Sequence, residues 1–403
     1  MQVNNTLFLI ILSLFNYICA KYIEIYFEKS SGAYAINSLI NFSRSLSKKI
    51  YINIDLKNPY PIFAFSEING LSHFTNEEKY TVFSENNIPL QCKKISLPIL
   101  FSKFEYNFTF YNIINEEQYN LASNTLSLPY KTNRNYSSIL DDLFNTNQIN
   151  DKVFFIDSFY SYLYFGDMEY NDRLKFSSSF SVNSSYDTWG LNLDSVSLRK
   201  EGGSFWYFNN QKKYAYLQTS SPFISAPKMY MIFLINQFFN KYFNTGECEK
   251  NQQFNIEKIF CKNKLIYTFP NITFTIDDID ISFPLYLLFD RRGDDNYKSE
   301  FLMKENTNKD EKDIWVLGTS FMNVFVTKFD KQRSLITLYS DKFPFSISKS
   351  VLEYTYENNK NRSILIYSII MLVLTFGGLL CLCVLYSHFT NAQKGNKYKV
   401  INL

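Results

Sequence analysis

Few residues in this chain can do acid, base, metal or nucleophilic chemistry. Its two histidines are His73 and His388, so a Ser-His-Asp or Cys-His hydrolase has only His73 to build on, and a histidine-rich zinc site is excluded. Of the six cysteines, Cys19, Cys381 and Cys383 fall in strongly apolar runs near the termini. Cys92, Cys248 and Cys261 remain. In an oxidising compartment Cys248 and Cys261 are expected to pair, leaving Cys92 as a buried thiol or a bridge to another chain. The pattern calls for no metal and no cofactor. The formal net charge of +3 is scattered, with no basic patch for nucleic acid. The abundance of Phe, Tyr, Asn, Ile and Lys is read as the skew of an AT-rich coding sequence in preference to a stacking surface.

The apolar runs at the two ends decide where such residues could work. Residues 6–15 are apolar apart from Thr6 and Ser13, and small Ala20 follows, which reads as a secretory signal over residues 1–20. Residues 364–385 carry no charge and as a helix would cross about 30 Å of hydrocarbon. A transmembrane helix is therefore expected over 363–386. The tail, 387–403, contains Lys394, Lys397 and Lys399 and no acid, which suits the cytoplasmic side. Together these predict a single-pass type I membrane protein whose partner at that end is the lipid bilayer, with an extracellular or luminal ectodomain. Sequons at Asn41, Asn107, Asn135, Asn183, Asn271 and Asn361 are then candidate glycosylation sites.

The ectodomain, about 340 residues, is long enough for two lobes with a sizeable core. Short aromatic and β-branched runs separated by polar turns predict a mainly β fold with a few short helices. Residues 137–144 and 229–243 have apolar residues at helical spacing after Ser or Pro start signals. Residues 304–312 are charge-rich and read as a solvated loop.

Residues 314–322, continuing through Thr327, Lys328, Phe329 and Asp330 to 335–338, resemble the last part of a pepsin-like aspartic protease (peptidase A1). In that family a Trp-hydrophobic-Leu-Gly strand feeds a short helix and a hairpin. Residues 265–287 resemble its preceding strand pair, and 215–227 align without a gap on its second catalytic loop. Residues 189–196, 164–167 and 138–155 extend the likeness upstream. In the N-terminal half, 50–54, 62–65 and 126–130 resemble strands around the first catalytic loop, but no Tyr-Gly-Thr/Ser-Gly flap is present. The resemblance implies a bilobal pepsin-like fold: a prosegment-like region at 21–47 (a strand, then a helical stretch), an N-terminal lobe at 48–136, a C-terminal lobe at 137–345 and a juxtamembrane linker at 346–362.

The family's catalysis uses one Asp from each lobe, sharing a proton, each in an Asp-Thr/Ser-Gly turn. Neither Asp-Thr-Gly nor Asp-Ser-Gly occurs here. The alignment sets Ser66 at the first position, or Glu67 if the register slips by one, and Gln218 at the second. No acid lies between Lys212 and Lys228, and Gln218 cannot serve as a general acid or base. The expectation is a pseudoprotease that uses its cleft to bind a peptide or protein ligand, or a shell whose loops only pack; the alternative is an active aspartic-type endopeptidase.

Overall fold

Alternation of side chains builds most of the elements. In strand Leu46–Asp55, Ile50, Ile52 and Ile54 are buried while Tyr51 faces solvent, the period of two that a half-buried strand requires. The computed structural model describes residues 22–347 except 31–32, 44–45, 65–78, 84–87, 102–103, 122–123, 132–137, 169–173, 200–204, 254–255, 291–296 and 309–312. The chain to Ser346 is one unit, organised around three large sheets and a small one.

The N-terminal sheet runs, in spatial order, Ile62–Phe63, Phe104–Ile113, Pro89–Phe101, Ala33–Ser43, Leu46–Asp55 and Thr125–Ser127. The C-terminal sheet runs Met303–Glu305, Ile224–Ala226, Trp315–Leu317, Phe205–Leu217, Gly190–Arg199, Asn271–Ile276, Ile279–Pro284 and Phe345–Ile347. Between them a six-stranded sheet joins Ile23–Tyr26 to Tyr162–Phe165, Val153–Asp157, Val326–Asp330, Leu335–Ser340 and Phe176–Ser181. Ile23–Tyr26 thereby pairs with Tyr162–Phe165 in a sheet that also holds Val326–Asp330 and Leu335–Ser340 from far along the chain. In the shared core the Phe154 and Phe329 rings stack 4.5 Å apart, and Trp189 packs edge-to-face against both.

Two expectations need correction. The segment 21–47 contains no helix among its described residues: Glu28–Ser30 and Ala33–Ser43 are strands. Ile36, Leu39 and Ile40 sit at helical spacing, but Ala33–Ser43 pairs on both sides, Ala35 opposite Asn53 and Leu39 opposite Leu100. Sheet pairing and burial of Tyr34 and Ile36 override local preference. The segment is thus woven into the N-terminal sheet and the interlobe sheet. Secondly, Lys304 and Glu305 end a strand instead of opening a loop.

The expected helices are present. Ser138 caps Ile139–Asn145 by accepting the Asp141 N–H, and Pro227 precedes Lys228–Leu234, which runs on through a π-helical stretch, Ile235–Phe239, into Asn240–Asn244. Among the described residues no helix is long and apolar enough to cross a membrane. The signal at 1–20, the span at 363–386, the tail at 387–403 and nearly all of the linker at 346–362 lie outside the described residues, as do Ser66, Glu67, His73, Asn135 and Asn361.

Candidate functional site

Each lobe presents one loop where a strand end runs parallel to a short returning strand. In the C-terminal lobe Phe205–Leu217 pairs with Trp315–Leu317, Leu217 opposite Leu317. Gln218 follows at once, its N–H donating to the Leu317 carbonyl at 3.0 Å. In the N-terminal lobe Leu46–Asp55 pairs with Thr125–Ser127, Ile54 opposite Leu126 and Asp55 opposite Ser127. With Leu126 of the one returning strand set on Leu317 of the other, the two pairings match Ile54 to Leu217, Asp55 to Gln218, Leu56 to Thr219, Lys57 to Ser220 and Ser127 to Gly318.

By this overlay the first-lobe position falls on Asp55 and not on Ser66, which lies outside the described residues. Ser66 lies further along the chain, beyond Ile62–Phe63, and that short strand does not lead into the loop. It follows the loop and pairs with Phe104–Ile113, Ile62 opposite Tyr111. The usable signal was the alternating run Ile52-Asn53-Ile54 ending in an acid, with turn-forming Asn58-Pro59 just after it. It was hidden because Leu56-Lys57 replaces the Thr-Gly that marks such a turn in the pepsin-like pattern.

Asp55 is buried, 2% exposed. Its Oδ1 accepts the N–H groups of Lys57 at 2.8 Å and Asn58 at 3.1 Å, so the carboxylate closes its own turn. Ser127 ties that turn down by donating its hydroxyl to the Asn58 carbonyl. The matching contact in the other lobe is tighter still. A Cβ on Gly318 would lie 2.6 Å from the Ser221 carbonyl oxygen and 2.3 Å from that of Phe223, a close approach that only glycine permits. Gln218 is half-buried and donates from Nε2 to the Ser220 hydroxyl at 2.7 Å. The loops meet where Thr219, fully buried, donates its hydroxyl to the Ile54 carbonyl.

Lys57 adds a cation. Its ammonium donates to the Tyr216 hydroxyl at 3.2 Å and lies 5.1 Å from that ring's centre. Beside it opens a cavity of about 240 Å³ whose walls include Lys57, Tyr216, Gln218, Ser221, Lys304 and Asn306.

Cys248 and Cys261 form a disulfide across paired strands Cys248–Gln253 and Ile256–Lys262. Cys92 is a fully buried thiol packed with Ile62, Val82, Leu90 and Tyr111, and burial pushes its pKa up to about 12. Of the sequons, Asn107 and Asn271 are exposed, and Asn41 lies in Ala33–Ser43. Asn183 is half-exposed, and its Nδ2 donates to Asn192 at 2.7 Å.

The family model of eukaryotic aspartyl proteases matches residues 113–340, which takes in the second loop and the returning strands of both lobes. Among solved structures, the chain is similar to the aspartic proteinase from Irpex lacteus at a TM-score of 0.59 and 10% identity, over 80% of this chain and 98% of that one. At that identity the likeness speaks for the fold. No curated protein sequence matches.

Proposed function

The chain belongs to the eukaryotic aspartyl protease family, and from that premise we propose that it is a pseudoprotease: its pepsin-like cleft binds a peptide or protein segment without cutting it. The observation that carries this reading is Gln218. Hydrolysis by this fold needs two carboxyl groups sharing a proton, and an amide neither gives nor takes one at working pH. The carboxylate of Asp55 is left without an acid at the matching position. Leu56 and Lys57 further replace the small residues that let the family's turn close around its Asp.

The ends of the chain extend the proposal. A signal at 1–20 and a helix at 363–386 would hold the domain on the extracellular or luminal face of a membrane as a type I glycoprotein, suited to display or capture and not to digestion.

A second reading, an active aspartic-type endopeptidase, draws on the retained Asp55 and on the Thr219 bond that keeps both loops together. One experiment separates the two. Full-length protein is incubated with a mixed peptide library between about pH 3 and pH 7, with and without an inhibitor of aspartic proteases. Intact peptides are expected throughout; inhibitor-sensitive cleavage would sink the pseudoprotease reading.

A further inference from the structure

The cavity beside Gln218 has a floor set by strand register. Lys304 is paired with Ser225, Ser225 with Val316, and Val316 with Tyr216. Residues directly opposite one another on neighbouring strands share a face of the sheet, so these four form one continuous row across it, and all four line the cavity. A lysine stands at each end. Lys57 reaches over Tyr216 at one, and Lys304 closes the other with its ammonium 4.6 Å from the centre of the Phe223 ring.

Among the described residues the charge on this surface is unbalanced. Lys304 makes no ion pair with a carboxylate among the described residues. The charge of Glu300 acts in its favour, but Glu300 is held by Lys258 at 2.9 Å. Burial, and then the Lys258 charge, push the Lys304 pKa down, the signature of a cation whose lost hydration is not fully replaced. The one acid on the described rim, Glu305, lies 3.9 Å from Lys228. The other groups used here, Gln218 and Ser225, are neutral.

We propose that this cavity is a subsite for an acidic side chain, an Asp or Glu of a peptide lying in the cleft. The inference rests on the binding reading given above and names its ligand class. A carboxylate entering the cavity restores to Lys304 the counter-charge that burial denies it, through hydrogen bonds roughly twice as strong as those of neutral groups. An amide of the same shape gains only the neutral bonds. A lysine is repelled from both ends of the row.

The test uses full-length protein and fluorescein-labelled, alanine-rich peptides of about nine residues, with a single Glu, Gln or Lys moved through each position and binding read by fluorescence anisotropy. At one register the Glu peptide is expected to bind about tenfold tighter than its Gln counterpart, and the Lys peptide weakest. Lys304→Met should bring Glu down to the level of Gln. Lys304→Glu should turn the preference toward the Lys peptide, a reversal that misfolding cannot imitate. Equal binding of Glu and Gln peptides at every position would overturn the subsite and leave the binding cleft standing. Failure of every peptide to bind would overturn both. Mass spectrometry of the same mixtures reports cleavage: cut peptides would remove the non-catalytic reading alone, and the Glu-over-Gln ratio of cleavage rates would then decide the subsite.

Discussion

Thr219, at the second loop, donates its hydroxyl to the carbonyl of Ile54 at the end of the first-lobe strand, while the matching residue of the first loop, Leu56, is fully buried in the apolar core. The cross-tie between the lobes is thus one-sided. Removing it strands a buried carbonyl with no replacement from the partner loop. Thr219→Val, equal in shape, is expected to lower stability by about 1–2 kcal/mol, measured by urea unfolding. Thr219→Ser keeps the hydroxyl and should lose less.

Asp55 serves its own turn. Two backbone N–H groups converge on its Oδ1, and an asparagine oxygen can accept the same pair. Asp55→Asn should therefore fold nearly as stably as the parent. Asp55→Ala leaves both donors unmet in a buried turn and should cost about 1–3 kcal/mol. Thermal melts of the two variants side by side read the difference, and equal losses would mean that the charge, not the acceptor, is what the turn needs.

The legible parts of the molecule were those whose signals are local. Trp315-Val316-Leu317-Gly318 carries a buried strand and the one residue that fits against Ser221 and Phe223, so the C-terminal lobe could be read from spacing. Likewise Ser138 and Pro227 marked helix starts where helices begin. The resemblance takes 50–54 and 62–65 as successive strands before the first loop and so sets Ser66 in it, whereas the pairing of Leu46–Asp55 with Thr125–Ser127 puts the loop after the first of them. The cavity was invisible for another reason. Tyr216 and Ser225 are far in sequence from Lys304 and Val316, and register alone puts the four in one row.

Asp141 makes stability depend on acid. Burial opposes its charge, but hydrogen bonds from Lys331, Ser138 and Lys152 outweigh that and hold its pKa down at about 2, with Lys331 at 2.7 Å and Lys152 at 3.0 Å. A carboxylate whose folded pKa lies below its unfolded value of 3.8 adds stability above pH 4 that is lost as pH falls toward 2. Discounted for partial solvent screening, the contribution is about 1–2 kcal/mol. The gap in melting temperature between the parent and Asp141→Asn should be widest above about pH 5 and shrink toward pH 2.

The sequons are not equivalent. Asn107 and Asn271 are exposed. Asn183, by contrast, donates its Nδ2, the atom that would carry a sugar, to Asn192 and accepts the Ser185 N–H on Oδ1. Expression through a eukaryotic secretory pathway should give glycan at Asn107 and Asn271 and little at Asn183, read by peptide mapping before and after enzymatic glycan release.

Restoring the missing acid tests how far the cleft stands from hydrolysis. Gln218→Asp alone puts a second carboxyl group at the position matched to Asp55, but Lys57 stays on the wall of the cavity that residue 218 lines, bonded to Tyr216. A nearby ammonium favours the charged form of both acids and so works against the single shared proton on which the chemistry depends. Gln218→Asp is therefore expected to remain inactive on a mixed peptide library at about pH 4, while Gln218→Asp with Lys57→Gly removes the cation, frees the turn and should give slow, inhibitor-sensitive cleavage. Activity in the single variant would show that Lys57 does not control the proton. Inactivity in the double variant would shift the barrier to Leu56, whose buried side chain occupies the place where Thr219, in the other lobe, binds across to its partner strand.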